Sequence, residues 1–412
     1  MKPLKILWLT SHPHPKEGLV GSPWIISLIA QLVQRPTEIA LTVLGTGTDQ
    51  DEPVEYYETN GVTYIFLDTP RRRQDILALY CRRVATLREY VRRHHDEYDL
   101  IHVHGSESQL HVATAGLTTP VLLSVQGIVW EYLKVLPVID PMHRFLWLLA
   151  SYYELRYLPQ VRDVSCRTLW DTAMSRRHSP GCHVHINWEM IRPPFFALNC
   201  AAVPGPEPGR PHLLFLGGTQ VMKGYREMLE AFNLIRQQVP AKLVIAGQTE
   251  PEQVQRYIQQ RGLTAINPND LDVRGMQSLD ELQGLLQESF CLVHPSYMDN
   301  SPNTICEAQV AGLPVVATLV GGVGSLLAHE RTGLAARLEP RDIADQVLRL
   351  CRDEPLRQRL SQEALRVARE RHDPATITQR TLDIYRTILA REHPTASAVA
   401  TATAVVVTPA SL

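Results

Sequence analysis

The sequence predicts an α/β protein made of two doubly wound parallel sheets with helices on both faces. Three observations carry that prediction. Short apolar runs alternate with amphipathic stretches along the chain, the pattern of repeated strand–helix–strand units. The segment PPFFALNCAAVPGPEPGRP at 193–211 breaks the alternation near its middle and reads as a linker. The length of 412 residues accommodates two domains.

In the first half KILWLTS, EIALTVL, VTYIFL, DLIHVH and PVLLSVQ read as strands, and in the second HLLFLG, KLVIAG, FCLVH and PVVATL. Between them, Ile76 to Arg93 and Tyr225 to Gln238 have helical periodicity. The expected boundaries are 1–195 for the first domain and 205–374 for the second. A final helix at about 375–392 is expected to pack back on the first domain, and the Thr-rich tail 393–412 to be disordered. Ligands on such sheets sit beyond the carboxyl ends of the strands, so two facing domains make a cleft.

Composition narrows the function. A formal charge of −2 gives no reason to expect nucleic acid. The seven cysteines are scattered, with no Cys-x-x-Cys pair. That argues against a disulfide scaffold or zinc ribbon and fits a reducing, cytoplasmic setting. The first apolar run, Ile6 to Leu9, is too short for a signal-peptide core, and no stretch reaches the roughly 20 apolar residues of a spanning helix. The pairs His12/His14, His102/His104 and His183/His185 each share one strand face. No acid or cysteine cluster accompanies them, so no metal is expected.

The most informative segment is HPSYMDNSPNTICEAQVAGLPVVATLVGGVG, from His294 to Gly324. A strand ends near His294. Asn300 or Ser301 offers an N-cap side chain, and Pro302 suits the first helical position. The helix runs to about Ala311, Gly312 ends it, and Pro314 prevents its continuation. The helix N-terminus, Asn300, Ser301, Pro302, Asn303 and Thr304, presents unpaired amides and a partial positive charge, which suits a diphosphate. Glu307 can then reach a ribose hydroxyl pair, and Asp299 the hydroxyls of a sugar. Capping alone explains Asn300, Ser301, Pro302 and Gly312, but not two acids separated by seven residues.

These residues resemble the donor-site signature of retaining glycosyltransferase family 4, on the GT-B fold, with Asp299 where Glu is commoner. The resemblance implies a UDP- or GDP-type nucleotide sugar as donor. It also implies a saccharide or lipid-linked surface-polysaccharide intermediate as acceptor, retention of configuration, and no metal or other cofactor. HLLFLGGTQVMKGYREMLEAF, with Gly217 and Gly218, resembles the family's first strand and turn. Lys223 matches the lysine of its phosphate-gripping pair, while Gly218 stands where the arginine usually does. DVRGMQSLDELQGLL resembles the base-binding turn, so the backbone near Arg274, Gly275 and Met276 would contact the base. Gly321 and Gly322 fit either a loop approaching the sugar or a plain turn.

In the first half, Gly18 and Gly21 follow the first strand and would let the backbone approach an acceptor. The family's sugar-contacting His-Gly is Gln126-Gly127 here, and Gln hydrogen-bonds without titrating near neutrality. The catalytic set implied is Asp299, Glu307, Lys223 and Gln126. Acceptor-side candidates are His104, Glu107, Glu131 and Arg192, with Arg167, Asp171 and Glu189, some of them structural. HGSE, RTLWD and NWEMIRPPFF resemble a bacterial polysaccharide-assembly branch of the family. Residues 71–93 hold eight arginines against Asp75 and Glu89, a net of +6, which fits an anionic lipid surface or a solvated basic face. PMHRFLWLLASYYELRYL adds aromatics that suit either an interface or a core. Two rival readings stand. A GT-B epimerase needs catalytic acids in the first half and no acceptor. A non-catalytic nucleotide-sugar or glycan binder is motivated by Gly218 and Gln126.

Overall fold

The apolar runs assemble into two sheets. The computed structural model describes residues 2–14, 22–136, 141–200 and 209–392, and the statements below concern these. The first sheet contains β1 (Leu4–Leu9), β2 (Ile39–Gly47), β3 (Val54–Thr59), β4 (Val62–Asp68), β5 (Leu100–His104), β6 (Val121–Ser124), β7 (Asp163–Cys166) and β8 (His183–Ile186). Its order is β3-β4-β2-β1-β5-β6-β7-β8. Every pairing is parallel except β3 with β4. Those two are joined through Asn60 and Gly61, both at positive φ, the backbone of a tight hairpin turn.

The second sheet contains β9 (His212–Phe215), β10 (Lys242–Ile245), β11 (Leu271–Val273), β12 (Cys291–His294), β13 (Val315–Thr318) and β14 (Leu334–Ala336). Its order is β11-β10-β9-β12-β13-β14, all parallel. Strand order reverses between β1 and β5 and again between β9 and β12. Crevices open at such switch points, at the carboxyl ends of the strands.

Helices cover both faces because strands buried on both sides need apolar partners on both. Met228, Leu229, Phe232 and Ile235 of the Tyr225–Arg236 helix pack under the second sheet with Ile343, Val347 and Leu348. The Asn303–Ala311 helix fills the other face with Ile305, Ala308 and Val310. The final helix, Pro374–Glu392, packs on the first sheet, where Ile377, Leu382, Ile384, Tyr385 and Ile388 join Ile6 and Trp8. Trp8 Nε1 donates to the Tyr385 hydroxyl at 2.9 Å, and His102 Nδ1 lies 2.8 Å from the same oxygen.

Four details differ from expectation. The Ile76–Arg93 helix is two helices, Arg72–Leu77 and Cys81–His94, broken where Leu79 and Tyr80 take positive φ. The first part of the expected linker is packed, with Phe195, Leu198 and Cys200 in the second domain's core. The helix after Asp299 begins at Asn303, with Pro302 as N-cap and no side-chain cap, rather than with Asn300 or Ser301 capping. The polar strands β3, β7 and β8 lack the apolar runs of the others. Gly18, Gly21 and the tail 393–412 lie outside the described residues. Among the described residues no helix is long and apolar enough to cross a membrane.

Candidate active site between the two sheets

The Asp299 side chain is set by the turn after β12. Lys223 Nζ lies 2.5 Å from Asp299 Oδ2, and His294 Nε2 lies 3.2 Å from the same oxygen. Burial alone would raise the Asp299 carboxyl, but Lys223 and His294 outweigh it and hold the carboxyl well below the usual carboxylate range. The carboxylate is therefore charged at any working pH. Burial also pushes the His294 imidazole down. Lys223 is positioned by its neighbour: Gly224 has φ +77°, and a β-carbon there would come within 1.8 Å of the Pro295 carbonyl oxygen. Only glycine fits that approach.

Glu307 lies on the helix beyond. It is 3% exposed, and Arg192 grips it, with Nε at 2.9 Å and Nη2 at 2.8 Å from Oε1. Burial pushes the carboxyl up to about 7, with Arg192 opposing. Arg192 in turn stacks on the Phe195 ring at 4.7 Å. Arg192, Glu307, Asn303, Thr304, Gly247 and Met276 line an open pocket of about 200 Å³. Because Pro302 supplies no side-chain cap, the first helical amides have no side-chain acceptor. Ser301 Oγ and Asn303 Oδ1, also at this end, are buried and unpaired. Unpaired amides at the positive end of a helix form an anion site.

Asn300 has another task. It is 1% exposed and reaches the first domain. Thr168 Oγ1 donates to Asn300 Oδ1 at 2.7 Å, while Asn300 Nδ2 donates to Asp171 Oδ2 at 2.9 Å and to the Gln126 carbonyl at 3.2 Å. Gly322 packs against the same junction, where a β-carbon would meet the Asn300 carbonyl at 2.1 Å and Thr168 Oγ1 at 2.6 Å. Gly321, at φ +54°, lies as close to the Asp299 carbonyl. Gly322 thus serves domain contact, and Gly321 packs within the second domain against Asp299 and Met298.

Comparison with known proteins follows from this geometry. Residues 201–367 match the family model described as Glycosyl transferases group 1. The second domain is a group 1 glycosyltransferase domain. A curated relative, D-inositol 3-phosphate glycosyltransferase of Nocardioides, is 31% identical over 188 residues, which is 42% of this chain and 41% of the relative. The chain thus matches under half the length of that protein. Sucrose-phosphate synthase from Thermosynechococcus elongatus superposes with a TM-score of 0.74 at 16% identity, covering 94% of this chain and all of that one. Anabaena HepE, in complex with UDP and glucose, superposes at 0.64 and 16% identity, covering 93% of this chain and all of that one. The fold of the whole chain is GT-B.

The remaining candidates sort around the glycosyltransferase domain. Gly218 has φ +55°, and a β-carbon would lie 2.1 Å from the Gln248 carbonyl oxygen, so this backbone leaves no room for arginine. Gly217 is likewise crowded, by Phe215 and Lys223. Arg274 pairs with Asp272, and the Gly275 carbonyl accepts from Gly247 N at 3.1 Å. Arg192, grouped above with the acceptor side, belongs with Glu307 instead. Glu131 is bound by Lys134 and His178 at 2.7 and 2.8 Å and is occupied locally. Asp171 completes the capping box with Thr168, and Arg167 pairs with Glu189 at 2.7 Å. His104 points inward to a cavity of about 40 Å³ that Asn187 and Glu189 also line. His104 Nε2, Asn187 Oδ1 and Glu189 Oε1 are all unpaired there, a polar space that suits ordered water.

Glu107, by contrast, lies at the cleft. A β-carbon on Gly127 would come 3.1 Å from Glu107 Oε1 and 2.8 Å from the Tyr132 hydroxyl oxygen, so all three meet. Burial pushes Glu107 up to about 7, with backbone amides and Arg167 opposing. Burial pushes Tyr132 well above its usual range, and the charges of Asp299 and Glu107 add to it. Tyr132 therefore feels the charge of carboxylates from both domains. Its ring packs 6.3 Å from Trp147 and 6.0 Å from Trp170. Sequence reading missed Tyr132 and His294, since neither has a spacing that separates it from a core residue. The histidine pairs are used singly: His14 with Glu55, His102 with Ser124 and His185 with Asp163. No group of three or more His, Cys, Asp or Glu that could hold a metal ion occurs among the described residues.

Proposed function

We propose that the protein transfers a sugar from a UDP- or GDP-type nucleotide sugar to an acceptor, with retention and without a metal. The observation that carries this is the Lys223–Asp299 pair beside the uncapped helix N-terminus, with Glu307 on the same helix. Lys223 and the helix amides supply the positive charge that a departing diphosphate needs. Arg192 is a cation in the pocket that Asn303, Thr304 and Glu307 of this helix line, and we assign it part of the role of the arginine replaced by Gly218. Glu307 takes the ribose hydroxyls. Asp299 holds a sugar hydroxyl, and Gln126 contributes a hydrogen bond from the opposite domain.

The reaction is a same-face displacement. The bond from the anomeric carbon to the diphosphate oxygen breaks as that to the acceptor oxygen forms. The acceptor's proton passes to the departing phosphate oxygen, so no protein nucleophile is required. The HepE complex with UDP and glucose supports a nucleotide-sugar donor for this architecture. We place the acceptor among lipid-linked surface-polysaccharide intermediates and the protein in the cytoplasm, where nucleotide sugars are made.

The test is incubation with UDP-, GDP-, ADP- and CMP-sugars in EDTA, following nucleoside diphosphate release and thermal shift. One sugar nucleotide should stabilise the protein and be slowly hydrolysed, and Glu307→Ala should abolish both effects. Absence of binding by every nucleotide sugar would leave the non-catalytic reading. Interconversion of two nucleotide sugars without diphosphate release would leave the epimerase.

A further inference from the structure

The helix Pro141–Tyr157 is apolar on its outward face as well as on its inward one. Met142, Phe145, Leu148, Tyr152 and Leu155 recur at helical spacing and are all exposed, from 40% for Leu155 to 62% for Tyr152. At about 100° per residue they span one arc of roughly 140°. The opposite side is already satisfied, since Tyr153 joins Val84 and Val112 in a small core with Leu149 and Tyr157. Glu154 is the only acid of this helix, and it is fully buried, accepting from Ser106 Oγ at 2.6 Å. Among the described residues the exposed face therefore carries no negative charge, while Arg144 is exposed at one edge of the arc and Arg156 within it.

A second element extends the face. The corner between the Arg72–Leu77 and Cys81–His94 helices is held to this helix by Tyr153, whose hydroxyl donates to the Leu79 carbonyl at 2.7 Å. The corner exposes Leu77 at 84% and Leu79 at 46%. Nearby Arg72, Arg73 and Arg82 are exposed and form no salt bridge among the described residues. Their neighbours in sequence are engaged: Arg71 with Asp49, Arg83 with Asp75 and Arg93 with Glu89. The basic surface is thus narrower than the sequence suggests, and it borders an apolar one.

We infer that this face docks on an anionic lipid bilayer. Large apolar side chains with a tyrosine among them, accompanied by arginines and by no carboxylate among the described residues of the face, match the boundary between headgroups and acyl chains. A protein partner would not require the complete absence of acid, whereas an anionic surface disfavours every carboxylate. Trp147 of this helix packs against Tyr132 at the cleft, so docking holds the cleft one helix away from the bilayer. For a lipid-linked acceptor this consequence rests on the transferase reading. The docking itself does not.

The full chain is sedimented with phosphatidylcholine vesicles and with vesicles containing phosphatidylglycerol, at low and high salt, without donor. Binding should require phosphatidylglycerol and weaken with salt. Arg144→Glu with Arg156→Glu should lower it at least 20-fold, at about fivefold or more for each arginine. Phe145→Ser with Leu148→Ser and Tyr152→Ser should lower it at least tenfold, with unchanged thermal midpoint and donor hydrolysis. Binding indifferent to lipid charge, no binding, or binding that both variants retain overturns the proposal. So does a wild-type dimer that the triple-serine variant makes monomeric, because the face would then be a self-association surface. Vesicle binding without any donor hydrolysis would remove the transferase reading and leave this one standing.

Discussion

Asn300→Asp tests the junction between the domains with an almost isosteric change. The wild-type amide donates to Asp171 Oδ2 at 2.9 Å and to the Gln126 carbonyl at 3.2 Å, in a place only 1% exposed. An aspartate there loses both donors and sets a second carboxylate against Asp171. The lost hydrogen bond to a charged group amounts to about 1.5–3 kcal/mol. Two charges at this separation would repel by about 5 kcal/mol at an effective dielectric near 20. Protonation caps that term. Holding a carboxyl of ordinary pKa 3.9 neutral at pH 7 costs about 3 units at roughly 1.4 kcal/mol each, or about 4 kcal/mol. A protonated Asp also restores one donor toward Asp171, so the two terms do not add, and the net expectation is about 3–4 kcal/mol at pH 7. The sign with pH follows. The new group's folded pKa is raised, so the penalty is nearly absent below about pH 4 and grows as pH rises toward the folded value. Chemical denaturation of wild type and variant at pH 4.5 and 7.5, with scattering to follow domain separation, measures this. An equal destabilisation at both pH values, or none at pH 7.5, would refute the assignment of Asn300 as the interdomain hydrogen-bonding residue.

Three further outcomes are expected. Lys223→Ala should lower kcat by about 10²–10³, the effect of deleting one preorganised charge at a developing anion, in steady-state diphosphate release; a loss confined to KM would contradict the role. Tyr132→Phe removes one hydroxyl that makes no hydrogen bond among the described residues. It should cost about 3–10-fold in kcat/KM, about one hydrogen bond, and leave the melting temperature unchanged. Donor affinity by calorimetry should weaken as pH falls through about 7, where Glu307 titrates. The charged carboxylate is present above that value and lost below it, and Glu307→Gln should show a flat profile in the same range.

The proposed donor-side residues of the second domain stand out in the sequence because they are local. Asp299, Pro302 and Glu307 lie on one strand-to-helix turn and the helix it starts, where spacing fixes mutual geometry, and Lys223-Gly224 marks a close approach of the backbone to the Pro295 carbonyl. The alternation of runs likewise fixed two parallel sheets, since a strand buried on both faces must be apolar throughout. Short polar strands escaped: β7 and β8 read DVSC and HVHI, and their place is decided by pairing, β7 with β6 and β8 with β7, not by their own pattern.

The rest depended on contacts between residues far apart in the chain. Arg192 and Glu307 are 115 positions apart, and Asn300 and Asp171 are 129 apart; no local propensity encodes such pairs. Two sequence-level candidates moved for this reason, Arg192 to the pocket that Glu307 lines and Asn300 to the domain junction. The exposed apolar face of the Pro141–Tyr157 helix was equally hidden, because periodicity distinguishes the faces of a helix but not which one the protein covers. The sequence by itself thus determined the fold class and the strand-to-helix turn that carries Asp299 and Glu307. Tertiary structure decided which charges pair across the cleft and which apolar face remains outside, since both are set by packing between separate elements.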